Sequence, residues 1–188
     1  WYWTYQYPDH GDFEIVSNGL SDADARSRGE PRLLAVDERM VVPQGAVVKV
    51  IVTAADVIHS WGVPAFWVKE DAVPGRLNET WFKTDRPGVY YGQCFELCGA
   101  RHAYMPIAVE VLPPAQFAAW VASKGGTMPG PGGAKAPDST ATSPVTTPTR
   151  IASVGAPTSS PNSRTAATSS SPARTARSAS SSWAVGTP

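Results

Sequence analysis

Apolar positions in this chain come in short runs, each closed by Gly, Pro or Asp, a pattern of strands and turns. Phe13-Glu14-Ile15-Val16 and Arg32-Leu33-Leu34-Ala35-Val36 predict short strands. Ala46 to Thr53 is strongly β-branched and follows the turn residues Pro43-Gln44-Gly45, a strand signature. Val57 to Val63 is the next candidate, then Leu77 to Phe82 after Pro74-Gly75, with Leu77, Glu79 and Trp81 on one face. Arg86-Pro87-Gly88 turns the chain into Val89 to Gln93, and Pro106 to Leu112 is the last predicted strand. A single helix is predicted, opening at Pro114 and placing Phe117, Trp120 and Val121 at spacings of three and four. Many short strands with frequent turns predict an all-β sandwich or barrel.

Composition divides the chain. Residues 1–124 hold every Cys, His, Phe, Tyr and Leu, whereas 125–188 is rich in Ser, Thr, Ala, Pro and Gly with Trp183 as its one aromatic. Such a segment cannot bury enough apolar surface to offset its ordering entropy, so 125–188 is expected to be a disordered tail behind one folded domain, 1–124. The overall charge of zero hides a matching split: 11 basic against 15 acidic residues in 1–124, a net of −4, and the opposite +4 in the remainder. An acidic domain argues against nucleic acid and leaves a basic protein as a fitting partner.

No stretch approaches the roughly 20 apolar residues of a membrane span. The sequence opens without methionine on Trp1-Tyr2-Trp3-Thr4-Tyr5-Gln6-Tyr7. This aromatic cluster reads either as an edge strand or as a segment lying at a membrane surface, and the missing start suggests a fragment.

The chemistry is concentrated between the last two predicted strands. Cys94, Cys98, His102 and Met105 follow one another at gaps of three, three and two residues, and both cysteines of the protein are in this loop. A C-x3-C pair alone can be a disulfide or two inert thiols. With an imidazole and a thioether beside it, and His59 upstream, it becomes a soft donor set that suits copper, zinc or iron–sulfur, the thioether tilting the choice to copper. A structural Cys2His2 zinc site is the non-redox alternative, and it leaves Met105 without a task.

These residues resemble the copper-binding domain of subunit 2 of cytochrome c oxidase over about residues 1–122. The resemblance rests on Trp1-Tyr2-Trp3, Asp56 to Trp61, Asp71 to Arg76, and the run from Pro87 through Cys94 and Met105 to Ile107. It implies a cupredoxin-like Greek-key barrel with a short C-terminal helix, holding two copper ions as a dinuclear centre. Cys94 and Cys98 would bridge the ions, His59 and His102 would each give a nitrogen, Met105 a weak sulfur and Glu96 its backbone carbonyl. The Glu96 carboxylate would contribute to a magnesium or manganese site at the border with subunit 1.

By the same resemblance Trp1 is the electron-input residue facing cytochrome c and His102 the way out. Asp56 is the best docking carboxylate, with Asp9, Asp12, Asp22 and Asp24 as weaker ones. The full complex would pass electrons to haem a, reduce oxygen and pump protons, while this domain alone carries electrons. It would sit on the outer, periplasmic face of a bacterial membrane, held by an anchor upstream of this sequence.

Three positions depart from the family's habit: Gln6 where an acid is common, Phe95 for a serine, and a bulky Trp67. No C-x-x-C-H is present, so no c-type haem is attached. The copper domain of nitrous oxide reductase has a similar loop, but the opening aromatics and the Asp71 to Arg76 run favour the oxidase.

Overall fold

The computed structural model describes residues 1–130, 149–151 and 153–155, the last two segments as backbone only. Eleven strands and two helices appear among them. They are β1 (Tyr2–Tyr7), β2 (Phe13–Ser17), α1 (Asp22–Ser27), β3 (Met40–Pro43), β4 (Val47–Val52), β5 (His59–Val63), β6 (Val68–Ala72), β7 (Asn78–Lys83), β8 (Gly88–Cys94), β9 (Ile107–Leu112), α2 (Pro114–Ser123), β10 (Thr149–Ile151) and β11 (Ser153–Gly155).

The largest sheet has the order β3-β9-β8-β5-β6, and two three-stranded sheets have the orders β11-β1-β2 and β10-β4-β7. β3 runs parallel to β9, and β8 is antiparallel to both β9 and β5. The non-consecutive neighbours β3-β9 and β8-β5 are crossovers between strands distant in sequence. They bring the His59 strand and the Cys94 strand side by side, with Trp61 opposite Cys94.

Alternation explains which faces meet. In β4, Val48, Val50 and Val52 are buried while the residues between them are half-exposed, the two-residue period of a strand with one face on the core. β7 matches it: Phe82 points in, and Glu79 and Trp81 point out. Trp3, Tyr5 and Tyr7 of β1, Trp61, Phe82 and Met105 join these valines in one core. Helix α2 docks through Phe117 and Val121 onto Val41. The opening aromatics thus form a strand, hairpin-paired with β2.

Several elements differ from the sequence reading. Arg32 to Val36 is a series of turns, with Leu33 at φ +63° and only Val36 bridged to Gly19. Pro31 before it removes a ladder donor, and the apolar run packs as a loop. α1 forms because Ser21 caps it, its hydroxyl accepting from the Asp24 N–H at 3.1 Å, a local device that apolar periodicity does not register. β3 and the charged β6, Val68–Ala72, were likewise not foreseen.

The chain divides into two units, Trp1–Thr158 and Ser159–Pro188, and the second lies wholly outside the described residues. Of the predicted tail 125–188, the described parts are 125–130 and the short strands β10 and β11, which pair with β4 and β1. Its predicted disorder otherwise lies outside the described residues. No helix among the described residues is long and apolar enough to cross a membrane.

Candidate metal centre

Two segments carry the donors. His59 is the first residue of β5 and is fully buried. Cys94 ends β8, and the Phe95 N–H extends the ladder by one bond to the Ser60 carbonyl at 3.0 Å before the chain leaves the sheet. The loop then turns through Gly99, whose φ of +124° a larger residue rarely adopts, and a Cβ there would meet the Trp1 ring at 3.6 Å. A single 3-10 turn, His102–Tyr104, follows, and Met105 closes the loop with its side chain fully buried.

Six donor atoms converge in this space. The Cys94 and Cys98 sulfurs are 3.9 Å apart, far from the ~2.05 Å of a disulfide, and both thiols are free and buried. Nδ1 of His59 lies 4.0 Å from the Cys94 sulfur, and Nδ1 of His102 lies 3.5 Å from that of Cys98. The Glu96 carbonyl is 3.2 Å from the Cys94 sulfur and the Met105 thioether 3.6 Å from that of Cys98. The site is therefore two halves, one built on Cys94 with His59 and Glu96, the other on Cys98 with His102 and Met105.

This donor set fits soft metal ions. Metal–thiolate bonds of ~2.3 Å at a tetrahedral angle put two sulfurs about 3.8 Å apart, close to the separation found. His59, Cys94 and Cys98 keep their donor atoms within 4.8 Å of one another. Thiolate, imidazole and thioether together favour copper over hard ions.

The electrostatics pull the two thiols apart. Burial opposes ionisation of Cys94, but the His59 imidazole and the backbone at Glu96 and Ser60 outweigh it, leaving the thiol below its ordinary range. Burial and then the neighbouring Cys94 sulfur push Cys98 well above that range. At His59, burial disfavours the cation, yet Cys94 and Asp56 more than offset it and the pKa is raised.

The remaining predicted residues fall into distinct places. Trp1 sets its ring 5.0 Å from the His59 ring, nearly perpendicular. Asp56 is drawn inward: Oδ1 accepts from the Val57 N–H at 2.6 Å and pairs with Nε2 of His59 at 2.9 Å, with 18% of the side chain exposed. Glu96 is exposed. Asp22 pairs with Arg32 and Asp24 accepts from the Ser21 hydroxyl, so both serve local structure. Gln6 donates to Glu14, Trp67 is 96% exposed, and Phe95 covers Gly62. His10 is buried against Phe117 of α2.

Sequence reasoning missed the orienting role of Asp56 and the whole role of Trp3. Trp3 is buried, its indole N–H donates to the Met105 carbonyl at 3.0 Å, and its ring stands 6.3 Å from that of His59. The D-x-x-H spacing was a signal for the first; a bond across 102 residues leaves none for the second.

Comparison with known proteins agrees with this geometry. The family described as cytochrome c oxidase subunit II, periplasmic domain, matches residues 1–112. A probable cytochrome c oxidase subunit 2 of Rickettsia bellii is 54% identical over 124 residues, 66% of this chain and 46% of that protein. The Rickettsia felis counterpart is 52% identical over 127 residues, 68% of this chain and 40% of that protein. The chain thus spans less than half the length of these curated relatives.

Among solved structures, the periplasmic domain of subunit II of cytochrome oxidase (CoxB) of Bradyrhizobium japonicum superposes with a TM-score of 0.62. It is 54% identical, and the match covers 66% of this chain and 86% of that one. A second match, with a TM-score of 0.56 and 54% identity over 66% of this chain and 83% of that one, is a mixed-disulfide intermediate between a thioredoxin-like protein and subunit II of cytochrome c oxidase. The β-sheet architecture is accordingly the cupredoxin-like one.

Proposed function

Because the chain belongs to the cytochrome c oxidase subunit II family, we propose that it is the electron-receiving domain of such an oxidase. It takes single electrons from a c-type cytochrome and delivers them to subunit 1, on the outer face of a bacterial membrane. The folded unit centres on 1–124, with 125–188 as an appended low-complexity segment whose short strands β10 and β11 pair with β4 and β1. The observation that carries this reading is the convergence of two thiols, two imidazole nitrogens, a thioether and a carbonyl, each within 4.0 Å of one of the two sulfurs.

His59, Cys94, Glu96 through its carbonyl, Cys98, His102 and Met105 would hold two copper ions. When bound, the pair supplies a one-electron store spread over both metals and both sulfurs, which lessens the change felt at any one bond. The chain's own residues prepare for this. Asp56 takes the Nε2–H of His59, leaving the Nδ1 lone pair toward Cys94. Burial of His59, Cys94, Cys98 and Met105 excludes water, and the sheet on either side restrains the ligands so that little must rearrange on reduction.

Trp1, edge-on to His59, is the residue through which electrons come in, and His102 the residue toward subunit 1. The exposed Glu96 carboxylate would complete a magnesium or manganese site with oxygen ligands from that subunit. A thioredoxin-like thiol is a fitting partner for the metal-free chain. One thiol of such a dithiol partner would attack a Cys94–Cys98 disulfide to form a mixed disulfide and its second thiol would resolve it, leaving the partner as a disulfide and both chain thiols reduced for metal binding.

The test is copper content per chain after loading, with the visible and EPR spectra recorded together. Two ions, intense thiolate-to-copper bands and an EPR signal shared over two nuclei are expected. A single ion per folded chain, or a colourless zinc form that resists exchange, would overturn the reading.

A further inference from the structure

The loop that carries four of the ligands ends at Met105, whose side chain packs in the core while its backbone has left the regular elements. Met105 leaves the 3-10 turn with φ −129° and ψ +64°, outside any helix or strand. Pro106 follows, so the next residue has no N–H to tie the chain to the sheet. Gly19 packs so closely that a Cβ there would lie 2.8 Å from the Pro106 ring and 3.0 Å from the Tyr104 carbonyl. Among the described residues, the hydrogen bond that holds the Met105 backbone comes from β1: the Trp3 indole N–H donates to its carbonyl, at 3.0 Å and buried.

The same indole faces the second ligand segment. Its ring lies 6.3 Å from the His59 ring at 66°, an edge-on contact within the range of favourable aromatic pairs. Trp3 is fully buried and lies in a strand anchored by five paired positions to β2. It is therefore a rigid post between the loop that carries Met105 and the strand that carries His59.

We propose that Trp3 is a positioning residue for the metal centre: its N–H sets where the Met105 thioether stands relative to Cys98, and its ring limits the rotation of His59. The inference rests on the metal-site reading only for its redox consequence; the hold on Met105 is a property of the chain without metal. Trp3→Phe keeps an aromatic ring and removes the donor, leaving a buried carbonyl unpaired. Replacing the indole by benzothiophene at position 3 removes the N–H with almost no change of shape. Trp120→Phe, in α2 against Tyr7 and Phe13, makes the same chemical change away from the loop.

The experiment follows the 13C-labelled methyl of Met105 in the metal-free chain, together with its rate of oxidation to sulfoxide by peroxide. Both position 3 variants should move the methyl resonance and speed oxidation roughly tenfold, as expected for the loss of one net hydrogen bond that resists opening. Trp120→Phe should do neither. In copper-loaded protein the position 3 variants should also shift the reduction potential. A benzothiophene variant with the parent methyl shift and oxidation rate would overturn the proposal, even if Trp3→Phe failed to fold. Failure to take up two coppers would count against the metal reading and leave the metal-free comparison to decide the role of Trp3.

Discussion

Asp56 and His59 form a pair at the edge of the candidate metal centre, carboxylate Oδ1 to imidazole Nε2 at 2.9 Å. The distance joins two tasks that sequence alone assigned to separate residues. A carboxylate expected on the surface for docking is mostly covered, and the imidazole it touches is fully buried. A metal-binding histidine whose far nitrogen is held this way has one tautomer and one ring orientation.

Replacing Asp56 therefore separates docking from orientation. Asp56→Ala removes both charge and acceptor, and copper affinity should fall about 10- to 100-fold, the usual cost of losing such a partner. Asp56→Asn keeps an acceptor but loses the charge, so its affinity should fall less. If the carboxylate also steers cytochrome c, the Asn variant should be reduced more slowly at low salt and nearly normally at high salt. Chelator competition and stopped-flow reduction at two ionic strengths check this; equal affinity in the two variants would sink the orienting role.

Cys98 divides the site in a way that stoichiometry can read. It is the sulfur beside His102 at 3.5 Å and Met105 at 3.6 Å, whereas Cys94 keeps His59 and the Glu96 carbonyl. Cys98→Ser should leave the Cys94 half intact and lower the copper content from two ions per chain to one. Elemental analysis of refolded, loaded protein measures it, and retention of two ions would mean that Cys98 is not a shared ligand.

A clash in the sheet next to Cys94 gives a stability prediction with its own control. A Cβ on Gly62 would lie 1.8 Å from the Phe95 ring, and one on Gly92 would lie 2.0 Å from the Gly62 carbonyl. Gly62→Ala should cost about 1–3 kcal/mol, the range for overpacking. Adding Phe95→Ala should recover most of it, since the obstacle is a half-exposed side chain. Gly92→Ala meets backbone and should not be rescued by any change at Phe95. Denaturant melts of the single and double variants give the coupling energy, and additivity would refute the contact.

Where the sequence was readable, the cause was local. The β-branched run of β4, the 3.6-residue spacing of Phe117, Trp120 and Val121, and the close-set Cys94 to Met105 cluster are each set by neighbours in the chain. The Arg32 to Val36 segment looked the same by composition, but Leu33 at φ +63° turns it out of any strand. β6 was hidden because the charged run Lys69-Glu70-Asp71 interrupts its apolar pattern at the edge of the five-stranded sheet, and charge on an edge is how such strands avoid pairing with other chains. The orienting contact of Asp56 and the role of Trp3 were not legible for a different reason: they lie in contacts with residues that only the fold brings near.

His10 provides the pH test. Its ring is buried against Phe117, and among the described residues neither ring nitrogen has a hydrogen-bond partner. Burial lowers its pKa below the ordinary value, a shift that nearby Asp9 and the backbone at Thr127 only partly oppose. A lowered pKa means that the unfolded chain binds the proton more readily, so this contribution to stability is fully present above about pH 6.5. It is lost as pH falls from there through the folded-state pKa. Thermal melts should show the parent chain losing more stability between pH 7.5 and pH 5 than His10→Phe, which has no proton to take up. The two proteins differ in no other charged group, so the comparison isolates the imidazole. Parallel losses would mean that His10 reaches solvent or a partner before the domain opens.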